Sequence, residues 1–491
     1  MKIAAPRARL KPLSVLVSIA TLTLGALSTA HASPQLDRLE SLLAATPEGG
    51  WVKANVGTFS EAWATGSTAV PLSSYRNPAS IVSAWSSFAW DSTRGDLLLW
   101  GGGHANYAGN EMYVWDANSG DWSRGSLPSR IDSNFFVVDS AAPQSSHTYE
   151  NNLYLPVNGV FLTFGGAAFQ SGGSFQNFDG NNITPSGPWV WDPTKADPNK
   201  VGGTTGSGWD PSTEGGQMWT DRYAQSPANT PANFINAATA YRSENGKDVV
   251  YVSVDQGSSG FYSLYRYIVG DVKSGGMDTW EKIGVMANTA ANGGSGTIDT
   301  KNNLFIRTAA VGGRYTSNLA VWDLNKANPS DPNSNLDIGI QLVDEAGNPF
   351  PMTSRFGIEY DKKNGQILLW DGSEQGTVWT VTPQYDANGK LLTTWVVKKL
   401  ISTTFTQPDG NFSTGVLGKW NYIEELDAFM ALNEFSNTTG DAEVWLYKPF
   451  STTTTTPPPN GGTVDEPGMA ALLLASLGIL GVARRRRNTA A

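Results

Sequence analysis

The chain contains three histidines and no cysteine. Disulfides, thiolate metal sites and cysteine nucleophiles are therefore excluded, and imidazole is the side chain best suited to proton transfer near neutral pH. His104 follows an apolar run and three glycines in "LLLWGGGHANYAGNEMYVWD", residues 97–116, and His147 lies in "SHTYENNLYL". Tyr107 and Tyr149 stand close to them, and Arg314 and Arg355 occur further along the chain. A His/Tyr/Arg set can supply a base, an acid and a cation that neutralises a carboxylate as charge develops. Those are the requirements of β-elimination on a uronic-acid polymer. In that reading His104 or His147 is the base, Tyr107 or Tyr149 the acid, and Arg314 or Arg355 the neutraliser. The plainer reading has both histidines bonding backbone groups in turns. A metal site built from His104, His147 and Glu111 would have no ligand spacing on any one element, so neither a metal nor another cofactor is expected.

The third histidine belongs to a terminal pattern. Lys2, Arg7, Arg9 and Lys11 form a basic leader, Leu13 to Leu27 a short apolar core, and Ala30-His31-Ala32 a cleavage site. The apolar core falls short of the ~20 residues that span a bilayer. Residues 1–32 are therefore expected to be a secretory signal, cut by signal peptidase after Ala32. Residues 33–48 lead into the fold. At the other end, "STTTTTPPPNGGT", residues 451–463, is a linker with nothing to bury. Beyond it come Val464, Glu466 and Pro467, an apolar run from Met469 to Ala483, and Arg484, Arg485, Arg486 and Arg487. Residues 464–491 resemble the PEP-CTERM sorting signal of Gram-negative bacteria, with Asp465 where that family usually carries proline. The resemblance implies export, passage through an inner-membrane intermediate held by a single apolar transmembrane helix, and recognition by an exosortase. The protein would then reach the cell surface or the medium. The arginine cluster fits a cytoplasmic stop, and an ordinary C-terminal anchor would use the same physics without the cut.

Charge narrows the partners. Removing the two terminal segments takes eight of the 34 basic residues and, with Asp465 and Glu466, two of the 44 acidic ones, leaving 26 against 42, a charge near −16. Such a surface lacks the basic footprint of a nucleic-acid partner. Eighteen tryptophans and 53 glycines, with few runs of helical period, point to an all-β protein with many tight turns.

The elements that must position the candidate residues repeat along the chain, with a period of about 60 residues. Strand pairs recur at "AWSSFAWDSTRGDLLLWGGGH", "SHTYENNLYLPVNGVFLTFGG", "ATAYRSENGKDVVYVSVDQ", "GTIDTKNNLFIRTAAVGG", "FGIEYDKKNGQILLWDGS" and "WNYIEELDAFMALNEF". Each is followed by a V-W-D-like third strand, and the first five also by a short edge strand. D-x-x-x-G and K-N-G turns, as in "DSTRGD" and "DKKNGQ", suit the first hairpins. Four-stranded sheets of this kind bury both faces by stacking around an axis, which predicts a β-propeller over residues 49–450. The sixth unit lacks its fourth strand, and "GGWVKAN", residues 49–55, is expected to supply it and close the ring. A seventh blade would have to hide in residues 57–80.

These units resemble the kelch / galactose-oxidase-like β-propeller superfamily, through "WGGGH…MYVWD", "TFGG…WVWD" and "VGG…AVWD". The copper-radical oxidases of that superfamily need a tyrosine cross-linked to cysteine, which this chain lacks. In a four-stranded blade the loop from strand two to strand three shares a face with the approach to strand one. His104 and His147 are thus expected on one face, in adjacent blades. The same rule brings Tyr107, Asn110, Glu111, Tyr149, Asp255, Gln256, Arg314, Tyr315, Arg355, Glu374, Lys419 and Trp420 to that face, a mouth suited to a polar ligand. The resulting expectation is an exported propeller that binds extracellular polysaccharide there. A lyase, similar in residue types to ulvan-lyase-type propellers, is the alternative, and a structural or adhesive matrix protein a third.

Overall fold

The computed structural model describes residues 36–70, 77–169, 176–178, 183–205, 210–226, 230–231, 233–255, 261–289, 293–309, 317–372 and 374–451. The signal-like leader, the sorting segment and all but the first residue of the linker lie outside the described residues. Within them the chain is almost entirely strand and turn, with α-helices only at Asp37–Ala45 and Ala79–Ser83. No helix among the described residues is long and apolar enough to cross a membrane.

The strands form a β-propeller whose blades are the repeated units. Blade 1 comprises Phe88–Asp91, Asp96–Leu99, Tyr113–Asp116 and Trp122–Arg124, and blade 2 Asn152–Leu155, Val160–Thr163, Trp189–Trp191 and Trp219–Asp221. Blade 3 comprises Ala238–Glu244, Lys247–Asp255, Phe261–Ile268 and Thr279–Thr289. Blade 4 has Gly296–Asp299, Leu304–Thr308, Leu319–Asp323 and Ile338–Val343, and blade 5 Gly357–Asp361, Gln366–Trp370, Val378–Val381 and Thr394–Leu400. The sixth sheet, Trp420–Ile423, Ala428–Leu432 and Val444–Tyr447, takes its outer strand from Trp51–Lys53, paired Trp51 to Tyr447 and Lys53 to Trp445. The N-terminal closure expected from "GGWVKAN" is thus in place. Residues 57–70 and 77–80 contribute short helical turns and no strand.

Local chemistry explains the hairpins. Asp91 Oδ1 accepts from the N–H groups of Thr93 and Arg94 at 2.9 and 3.0 Å, and Asp299 Oδ1 accepts from Lys301 and Asn302 at 3.0 Å. Gly95, Asn303 and Gly365 follow in the left-handed region, with φ of 79°, 55° and 66°, as these turns require. The V-W-D tryptophans are core: Trp115, Trp191 and Trp322 are fully buried. Asp116, Asp192 and Asp323 hold the turns after them through Asn118, Thr194 and Asn325 N–H groups.

One pairing had no sequence signal. The outer strands of blades 4 and 5 run parallel, Gln341 beside Thr394 and Val343 beside Val396, fusing two blades into an eight-stranded sheet. Two sheet edges that would otherwise face solvent cover each other.

Candidate functional site

Inner strands of neighbouring blades stand side by side around the axis, so the segments leading into them converge at one mouth of the channel. Trp85 and Tyr149 each stand three residues before an inner strand, with φ of 46° and 51°. Leu417 holds the equivalent place in blade 6 with φ 51°. Their backbones are linked: Tyr149 N–H donates to Trp85 O at 2.6 Å, and Gly418 N–H to Tyr149 O at 3.4 Å. Tyr149, Ala167 and Leu417, with Trp85 and Ile235 against them, form an apolar floor.

The glycine run explains why a histidine stands beside it. A Cβ on Gly103, at φ 47°, would lie 2.1 Å from His147 N, so only glycine lets the blade 1 loop press onto blade 2. That approach sets the His104 and His147 rings 5.6 Å apart, with Trp85 4.8 Å from His147 and Tyr149 6.3 Å from it. His104 and Ala105 are exposed and left-handed, with φ of 23° and 63°. His147 is buried, and its Nε2 meets Asn106 Oδ1 at 2.7 Å. Burial, reinforced by His104, lowers its pKa to about 3. The neutral ring therefore donates from Nε2 to the amide oxygen, which leaves Nδ1 as an acceptor. Burial and the neighbouring Tyr262 push the Tyr149 hydroxyl far above the usual tyrosine range, so it stays protonated. Below, the Arg307 guanidinium lies 3.7 Å over the Tyr262 ring and donates to Ser253 O, Asn236 O and Gly293 O, tying blades 3 and 4 together.

Of the residues expected at the mouth, the structure brings together His104, His147 and Tyr149. Arg355 is exposed in the segment before the inner strand of blade 5, its carbonyl accepting from Val416 and Leu417 N–H at 2.9 and 3.3 Å. Others are corrected by burial. Tyr107 is sealed inside blade 1, donating to Glu111 Oε1 at 2.6 Å, and Tyr113 donates to the same oxygen at 2.9 Å. Neither Tyr107 nor Glu111 faces a ligand. Asn110 is buried and holds Ser129 N–H and Pro143 O at 2.8 and 3.0 Å. Lys419 is fully buried with Nζ on Val82 O at 3.0 Å, and desolvation lowers its pKa to about 8. Trp420 is core, stacked on Phe429 at 4.7 Å. Glu374 is exposed and ion-paired with Lys399 of an outer strand, away from the axis. Asp255 ends the second strand of blade 3, whereas Gln256, Arg314 and Tyr315 lie outside the described residues. Sequence reasoning passed over Trp85, Asn106, Tyr262 and Arg307. Trp85 occupies the same repeat position as Tyr149, and Arg307 is a lone cation in the apolar strand "LFIRT"; both signals were readable.

The sheets and this mouth define the class, a β-propeller with a polar and aromatic opening. No protein-family profile matches the chain, and no curated protein matches it. Among solved structures it is similar to the GH93 α-L-arabinofuranosidase of Fusarium graminearum in complex with arabinobiose, at 11% identity over 77% of this chain and 95% of that one, TM-score 0.41. It is also similar to a chain of the mitotic checkpoint complex, at 9% identity over 83% and 95%, TM-score 0.35. A third is the native Bacillus subtilis arabinanase, at 12% identity over 73% and 92%, TM-score 0.28. At these values none of the likenesses assigns an activity to this chain.

Proposed function

We propose that the protein binds an extracellular polysaccharide at the mouth formed by Trp85, His104, Asn106, His147, Tyr149 and Arg355. The observation that carries this reading is the exposed His104 with half-buried Trp85 and Asn106 over the buried His147 and Tyr149 rings, with left-handed backbone at Trp85, His104 and Tyr149. Aromatic faces with polar neighbours suit a sugar ring, which offers both C–H surface and hydroxyls. A lyase is less well supported. A histidine with a pKa near 3 is a poor base at neutral pH, and Tyr107 is out of reach. His104 and Tyr149 remain the pair a lyase would use. The terminal segments extend the proposal: the chain is exported as a kelch-like propeller and passes through exosortase processing at residues 464–491. Intact-mass analysis of the surface fraction tests that part.

The binding test is affinity electrophoresis and calorimetry of the purified protein against uronic-acid and neutral polysaccharides, alongside ultraviolet absorbance of unsaturated uronic ends. Saturable binding without new absorbance is expected, with Trp85→Ala and His147→Ala each weakening it by about tenfold or more. An absorbance rise abolished by His104→Ala would replace the binding module by a lyase. Neither signal with any polymer would leave a structural matrix component.

A further inference from the structure

The channel holds a second cavity beneath the apolar floor, reaching from Glu150 and Gly418 to the end away from the histidines. It is a cavity of about 580 Å³, with walls from the inner strands of all six blades. Five blades place an aromatic residue on it at one level: Trp90, Tyr154, Tyr241, Tyr360 and Tyr422. Four of these have their polar ends tethered to side chains, Trp90 to one on the wall and the three tyrosines to side chains behind it. Trp90 Nε1 donates to Glu425 Oε2 at 3.2 Å, Tyr154 to Thr93 Oγ1 at 2.8 Å, Tyr241 to Asp248 Oδ1 at 2.9 Å and Tyr422 to Asp427 Oδ1 at 3.0 Å. Their polar needs are met; Tyr154 and Tyr360 are buried between blades and edge the space, while Trp90, Tyr241 and Tyr422 are half-buried beside it.

The charges on the same walls do not balance. Glu150, Glu359, Glu424 and Glu425 line the cavity against Arg242 and Lys362. Both cations are already held by carboxylates, Arg242 by Glu244 and Lys362 by Glu424. Glu359 Oε2 accepts from Thr297 Oγ1 at 2.9 Å, and Glu150 Oε2 from the N–H groups of Thr239, at 2.8 Å, and Gly296. These donors are neutral. Burial accordingly raises the Glu359 pKa to about 7, with Lys362 opposing, and raises Glu150 well above the carboxylate range, with Glu359 adding to the rise and Arg307 opposing. The cavity is short of positive charge and bordered by five aromatic residues. Among the described residues no three acidic or imidazole groups converge as metal ligands, which favours a cation with a hydrocarbon body.

We propose that this end of the channel binds a small organic ammonium, such as an amino sugar, with its charge against Glu359 and its body among the aromatic rings. Cation–π attraction and the unpaired carboxyl act on the same group. Glu359 must lose its proton to pair, so uptake releases a proton at about pH 6, and affinity rises with pH until about pH 7.

The test is isothermal titration of the full chain with glucosamine, choline, glucose and N-acetylglucosamine, in two buffers of different ionisation enthalpy. Glucosamine and choline are expected to saturate the site, with the two neutral sugars about tenfold weaker or worse and proton release at about pH 6. Glu359→Gln should weaken glucosamine by about tenfold and abolish proton release, and Trp90→Leu should weaken choline several-fold. Trp85→Ala at the other mouth should change nothing, which separates this site from the polysaccharide site. Equal affinity for glucose and glucosamine overturns the proposal, as does silence with all four probes. So does a normally melting Glu359→Gln or Trp90→Leu protein with undiminished binding.

Discussion

His147 folds with its ring buried against Trp85, and its pKa falls to about 3. The unfolded chain binds a proton on this ring as pH drops below about 6.5, and the folded chain does not. Stability from His147 is thus full above that pH and lost towards about pH 3. Glu359 and Asp96 act in the opposite sense, each with a pKa raised to about 7 by burial. Their unfolded forms release protons first, so their contribution is full below about pH 4 and declines until about pH 7. With two raised carboxyls set against one lowered imidazole, calorimetric melting should therefore peak at about pH 4 and fall towards about pH 7. Glu359→Gln should raise the melting temperature at pH 8 and leave it unchanged near pH 4; an unaltered alkaline slope would contradict the assignment. Strain is testable at the same scale. Ala105 is exposed at φ 63°, so Ala105→Gly should stabilise the fold by about 1 kcal/mol. If that backbone holds His104 in its binding position, polysaccharide affinity should fall in the same variant.

The hairpins were legible because their chemistry is local. An aspartate, two or three intervening residues and a glycine or asparagine specify a turn without reference to the rest of the molecule. Asp361 is the strongest instance: buried, it accepts from Asn364 N–H and Nδ2 at 2.9 and 2.7 Å and from Gln366 Nε2 at 3.2 Å. Asp361→Ala strands those donors and should cost about 1–3 kcal/mol in denaturant unfolding. Asp323→Ala, half-buried and one turn-holding bond lighter, should cost less than about 1 kcal/mol. What elements hide from sequence is illustrated by the loop after the second strand of blade 1. His104 and Tyr107 lie three residues apart, yet one is exposed and the other sealed against Glu111 and Tyr113. A loop has no fixed period, so spacing could not divide it into an outward and an inward half.

At the scale of the molecule, stability depends on closing the ring. Trp51 inserts among Trp370, Trp420 and Tyr447 at 5.3, 5.7 and 5.0 Å, joining the first strand to the last two blades. Trp51→Ala should cost about 3–5 kcal/mol. Deleting residues 36–53 should do more, baring the Val444–Tyr447 edge, and size-exclusion chromatography should then show association through it. A truncated chain that stayed monomeric and melted like the parent would show that the ring does not need this clasp.

Repeat length, strand pairs, turn aspartates and the N-terminal closure were all determined by sequence alone, because each is periodic or confined to a few neighbouring residues. Which loop residues form the mouth was decided only by the tertiary structure. Gly103 touches His147 across two blades, and Lys419 and Trp420 vanish into the core. The channel's aromatic ring draws one residue from each of five blades. Burial and desolvation depend on atoms far apart in the chain, and from them follow both which groups meet a ligand and which protons they keep.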